Sequence, residues 1–218
     1  MGKLSILVSL LMGTICLFGC ALVSSKLSVN SHYAYSAQAV VSADAPTAYI
    51  GHVKDVRIFS DGTGNPADPT PVIASEAERN ITIGRKRDGF GQAMAAVTLS
   101  SGETVTSLIR SVLEDALADS GFKVIHDKMQ VTPNTFVIEA DIYKFWLWTE
   151  VGFMKAHYVS DIAATIRPSK GSGFSIDLSE KLFVAFYNDA KSTETVHNGL
   201  AKFRTAATEK FRAMKDLR

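Results

Sequence analysis

Between Phe136 and Phe186 the apolar side chains keep to even-numbered positions through three consecutive segments, and this period of two constrains the fold more than any other feature. Phe136, Ile138, Ala140 and Ile142 open the first segment, which runs on to Trp146 and Trp148. Met154, Ala156, Tyr158, Ile162, Ala164 and Ile166 line the second, while Lys155, His157, Asp161 and Arg167 take the opposite face. Phe174, Ile176, Leu178, Leu182, Val184 and Phe186 line the third. Successive side chains of a strand point to opposite faces, so the pattern predicts three long strands sharing one apolar face. Short glycine-containing connections make them an antiparallel meander.

A sheet with one apolar face needs a cover, and two stretches with helical periodicity supply it. Val105, Leu108, Ile109, Val112, Leu113, Ala116 and Leu117 form one stripe. Ser100 and Glu103 stand before it at capping-box spacing, and Gly121 follows it as a stop. Val196, Leu200, Phe203, Ala207, Phe211 and Met214 form a second stripe, in a helix from about Thr193. Its Lys210, Arg212 and Lys215 suit the negative end of the helix dipole. Ahead of the first helix, Tyr49 to Phe59 reads as a strand, and after it Phe122 to Ile125 reads as another. A right-handed crossover then makes those two strands parallel. The expected fold is α+β: a two-layer sandwich of a mixed, mostly antiparallel sheet packed on two helices, with a β-α-β-β-β-α core.

The ends of the chain set where that domain works. Lys3 is followed by an apolar and small-residue run from Leu4 to Phe18, shorter than the about 20 residues of a spanning helix, which is the pattern of an export signal. Leu17-Phe18-Gly19-Cys20 closes it and resembles the bacterial lipobox, in which a cysteine thiol takes a diacylglyceryl group before cleavage; an ordinary secretory leader or an uncleaved anchor is the alternative. The resemblance implies lipidation at Cys20. Cys16 leaves with the leader and Cys20 is acylated, so no thiol remains for a disulfide. Residues 1–19 are read as the signal peptide, 20–46 as the lipidated N-terminus and a flexible tether rich in Ser and Ala, and 47–218 as a single periplasmic domain. A short strand is expected around Tyr33 to Tyr35. Ala21, rather than Asp, after the cysteine favours the outer membrane. Removing the leader with Lys3 takes the formal charge from +1 to zero, which excludes a general field for nucleic acid or other polyanions.

No constellation announces catalysis. Gly171-Ser172-Gly173-Phe174-Ser175 lacks the Gly-x-Ser-x-Gly order of a nucleophile elbow and reads as a hairpin turn. The five histidines are dispersed without helical ligand spacing, so neither a metal nor a cofactor is expected. Asp61-Gly62-Thr63-Gly64-Asn65 lacks EF-hand spacing and reads as a turn in a long loop that runs past Pro69 and Pro71. Two places stand out as candidates for binding a partner. In Gly84-Arg85-Lys86-Arg87-Asp88-Gly89-Phe90-Gly91, three cations sit between glycines beside Phe90. This is either an anion-gripping loop or a solvated charged hairpin. Trp146 and Trp148, with Phe145, Leu147 and Phe153, form an aromatic edge that is either core or an exposed partner surface.

Cys20, Val53-Lys54-Asp55-Val56-Arg57, Ile83 to Gly91, the helix ending at Gly121 and Lys144-Phe145-Trp146 together resemble the YajG-type envelope lipoproteins of Gram-negative bacteria. The resemblance implies an envelope protein without transferable catalytic residues. The expected function is therefore a non-enzymatic accessory lipoprotein that binds an envelope protein, held to the membrane by lipid on Cys20. The alternative is a module for an amphiphilic or anionic envelope molecule. A hydrolase ranks third.

Overall fold

The computed structural model describes residues 25–29, 42, 44–59, 75–87, 93–100, 102–152, 155–184 and 188–215. Among these residues it is a mixed α+β fold with a curled eight-stranded sheet and three α-helices. The strands are β1 (Ser25–Leu27), β2 (Thr47–Asp55), β3 (Thr82–Arg87), β4 (Ala93–Leu99), β5 (Lys123–Ile125), β6 (Phe136–Gly152), β7 (Lys155–Pro168) and β8 (Phe174–Val184). The helices are α1 (Glu76–Ile81), α2 (Val105–Asp119) and α3 (Asp189–Lys215). The expected strand near Tyr33 lies outside the described residues.

The meander read from the period of two is present. β6 pairs antiparallel with β7 along its length, and β7 with β8. The crossover is present too, because β2 and β5 pair in parallel with Thr47 opposite Lys123. Gly121 ends α2 at φ +82°, a left-handed conformation that glycine adopts without penalty. The helix starts later than expected. Thr104 is the N-cap and exchanges capping-box bonds with Ser107, whereas Ser100 lies outside the helix.

The even phase of β6 does not hold to its end. A bulge at Tyr143 shifts the register between Ile142 and Lys144, so one residue is inserted and every later side chain changes face. Phe136, Ile138, Ala140 and Ile142 enter the main core, and after the bulge Phe145 and Leu147 enter it. Trp146 and Trp148 therefore stand on the outer face, away from the core stripe on which the alternation placed them. Around the core, Phe122 stacks on Phe136 at 5.2 Å, and Phe211 of α3 meets both Phe136 and Phe174 edge-on. Arg204 of α3 donates two bonds of 2.7 and 2.8 Å to Asp119 of α2, which fixes the helix pair.

β6 acts as a trunk. On one side it carries β7 and β8. On the other, its first half pairs with β2 and its second half with β3, whose neighbours are β4 and then β1. β1 lies inside the stretch read as a tether, yet it pairs in parallel with β4, and Leu27 and Val29 are buried. That portion belongs to the core because its apolar side chains fill the edge beside Val97 and Leu99.

Candidate functional site

The sheet forks where β2 leaves β6 and β3 begins, and a fork leaves strand carbonyls without ladder partners. Arg57, just past β2, fills it. Its guanidinium is 1% exposed and donates to the carbonyl oxygens of Thr82 and Phe145, both at 2.9 Å, and of Arg79 at 2.8 Å. Asp55 grips the same group from below with bonds of 2.9 and 2.7 Å, which neutralises a charge that could not otherwise be buried. Arg79 of α1 answers by donating to the Arg57 carbonyl at 2.7 Å. Phe59 and the Trp146 ring lie 5.0 and 4.6 Å from the Arg57 guanidinium carbon, and Arg79 sits 4.7 Å from the Phe59 ring. The two rings meet edge-on at 5.0 Å. The result is a rigid latch of two arginines and two aromatics.

Arg110 plays a related part higher on β2. The β2–β6 register slips between Ile50 and Val53, and Arg110 of α2 donates to the carbonyls of Ile50 and Gly51 at 2.9 and 2.6 Å. Both arginines therefore satisfy backbone acceptors where the sheet ladder is interrupted, Arg110 at the register slip in β2 and Arg57 where β3 and β6 meet beyond its end.

The predicted binding stretch is neither an open loop nor a solvated hairpin where it is described. Ile83, Gly84, Arg85 and Lys86 lie within β3, all buried, with Arg85 5% and Lys86 7% exposed. Gly84 is the reason that β3 can join β6: a Cβ there would overlap the Leu147 carbonyl. Arg87 ends the strand opposite Ala93, and its side chain, like Asp88 to Gly91 with Phe90, lies outside the described residues. Cys20 also lies outside them.

The aromatic edge divides. Trp146 is 5% exposed and belongs to the latch. Trp148 is half-buried, and its indole N–H donates to Asp161 at 3.0 Å. Beside it the outer face of β6 to β8 carries cross-strand ion pairs: Arg167 with Asp141 at 2.7 Å, Lys144 with Asp177 at 2.8 Å and Lys181 with Glu150 at 2.7 Å. The Arg167 hydrogen bond holds the Asp141 carboxyl below its usual range. This face is a solvated one.

Two features escaped the sequence reading. One is the latch, since Arg57 was noted only within a strand. The other is a hollow of about 330 Å³ at the far end of the molecule. Phe136 forms its floor, Ala213 and Met214 of α3 one wall, and the β7–β8 connection with Lys170 and Ser172 the other. Lys210 stands on α3 at its rim, and neither Lys170 nor Lys210 meets a carboxylate among the described residues. No group of three metal-ligating side chains converges among the described residues, and none of their helices is long and apolar enough to cross a membrane.

No family model and no curated protein matches the chain. Solved structures similar to it include an uncharacterized protein at 9% identity, over 75% of this chain and 98% of the other, with a TM-score of 0.42. A Xanthomonas campestris protein of the family DUF330 is similar at 12% identity, over 88% and 91%, with a TM-score of 0.42. A homolog of neuraminyllactose-binding hemagglutinin from Helicobacter pylori is similar at 9% identity, over 88% and 100%, with a TM-score of 0.40. At these scores the likenesses assign no function.

Proposed function

We propose that this chain is a non-enzymatic accessory lipoprotein of the YajG type, anchored through Cys20 in the outer membrane, facing the periplasm and binding an envelope protein. Its layout is then a two-layer sandwich, with α2 and α3 covering one face of the sheet and the ion-paired face turned to solvent. The observation that carries the reading is the exit of β2. Arg57 and Phe59 point into the latch, so the alternate residues Val56 and Ile58 are held outward, 38% and 83% exposed. Tyr143, at the bulge beside them, is 49% exposed. An aliphatic and aromatic patch fixed on a rigid mount suits a protein partner, because little ordering entropy is lost when it docks. Photocrosslinking in cells from Ile58, with Asp127 as an exposed control, tests it. Recovery of one envelope protein from Ile58 and not from Asp127 is expected; equal recovery from both would sink the reading.

The hollow favours a second reading, a site for a single-chain anionic amphiphile. Its walls are apolar, its volume falls in the range of small-molecule sites, and its two rim cations meet no carboxylate among the described residues. Laurate is the probe, followed by titration calorimetry on the mature domain. Saturable binding that Met214→Trp blocks is expected, and an absence of heat and of competition would remove this reading.

A further inference from the structure

We propose that the end of the sheet formed by the close of β6, the start of β7 and the end of β8 lies directly on the lipid surface, with Phe183 and His157 at the headgroups. The inference rests on lipidation at Cys20. Five residue steps separate Cys20 from Ser25, where β1 begins, and a fully extended chain of that length spans at most about 18 Å. A lipidated Cys20 therefore keeps the start of β1 within that distance of the bilayer.

Register decides which end of the domain is held there. β1 is parallel to β4, β4 antiparallel to β3, and β3 parallel to β6, so β1 starts towards the end at which β6 finishes. Ser25 stands opposite Val97, Val97 opposite Gly84 and Gly84 opposite Leu147. From Leu147 to Gly152, β6 runs on for five residues, about 17 Å of strand. The trunk thus projects nearly as far beyond Ser25 as the anchor can reach. A second path agrees without relying on strand direction. Ser25 Oγ donates to Asp189 at 2.7 Å, and the neighbouring Asn188 N–H donates to the Tyr158 hydroxyl at 2.8 Å. Tyr158 is adjacent to His157, so β1, the start of α3 and the start of β7 are tied together at one end.

That end carries groups suited to an interface. Phe183 is 58% exposed and meets His157 edge-on at 5.9 Å, while at the same end β1 exposes Lys26 and α3 exposes Lys191, which pairs with Glu194 at 2.6 Å. An exposed aromatic ring with cations at the same end of the domain fits the boundary of an anionic bilayer. The hollow at the β7–β8 connection lies at the opposite end, open to the periplasm.

The test uses the full lipidated protein, whose acylated Cys20 leaves any introduced cysteine as the free thiol. Phe183→Cys, Lys191→Cys and Ser172→Cys are each labelled with a nitrobenzoxadiazole fluorophore. They are reconstituted in vesicles of phosphatidylethanolamine and phosphatidylglycerol containing headgroup-nitroxide lipid. Quenching severalfold stronger at 183 and 191 than at 172 is expected. Flotation with the vesicles but equal quenching at the three sites, or stronger quenching at 172, overturns the orientation and leaves the lipoprotein reading standing. Failure of the protein to float, with no acyl mass on Cys20, overturns both.

Discussion

The two ends of the trunk strand β6 use positive charge in opposite ways. In its second half, Arg57, Arg85 and Lys86 are buried, and the Arg57 guanidinium is consumed by carbonyls and by Asp55. At its first residues, Lys170 and Lys210 stand exposed around an apolar hollow without carboxylate partners among the described residues. Arg85 and Lys86, clustered in the sequence, are buried in β3, while Lys170 and Lys210, scattered in it, converge in space. Charge density along a chain is therefore a poor guide to a binding surface, because a forked sheet creates unpaired acceptors that only long cationic donors can reach.

The comparison breaks most sharply at the latch. Arg57→Ala leaves Asp55 buried without its partner and three carbonyls without donors, and it should cost about 3–5 kcal/mol in chemical denaturation. Arg57→Lys should recover less than half of that, since an ammonium cannot serve the fork geometry. A loss near zero for Arg57→Ala would show that the fork does not depend on it. Trp148→Phe removes one bond to Asp161 and should cost about 1–2 kcal/mol by the same measurement.

A milder probe uses His197, which faces the interior from α3 and whose protonation is disfavoured by burial. Its folded pKa lies below the ordinary 6.5, so the unfolded chain binds more protons in that interval. Its contribution to stability is full above about 6.5 and is lost as pH falls towards the folded value. Melting curves between pH 7.5 and 5 should show a fall that His197→Gln flattens. At the far end, Lys170→Ala with Lys210→Ala should leave stability within about 0.5 kcal/mol while weakening laurate binding severalfold. A stability loss comparable to that of Arg57→Ala would erase the distinction between the two ends.

Much of the fold was legible where one physical constraint dominates. Three strands on even positions, the stripe from Val105 to Leu117 and the stop at Gly121 all follow from burying one face of a regular element. The bulge at Tyr143 was not legible. Phe145-Trp146-Leu147 is apolar in either phase, so the sequence carries no mark of the inserted residue. Gly84 in Gly84-Arg85-Lys86-Arg87 serves a close backbone approach, but what approaches is Leu147 of β6, which no local pattern in that stretch reveals. The start of β1 was hidden because Ser25-Lys26-Leu27 is too short for periodicity to register.

By itself the sequence determined the meander, the two long helices, the parallel crossover and the expectation of an acylated Cys20, since each is a local pattern of hydrophobicity or spacing. Only the tertiary structure decided which charges would be buried, because that depends on where strands part and leave carbonyls unpaired. It also decided that Phe136, Lys170 and Lys210, separated in sequence, meet around one hollow, and that β1 enters at the end where β6 closes. Those are facts of non-local register, and no single segment of the chain contains them.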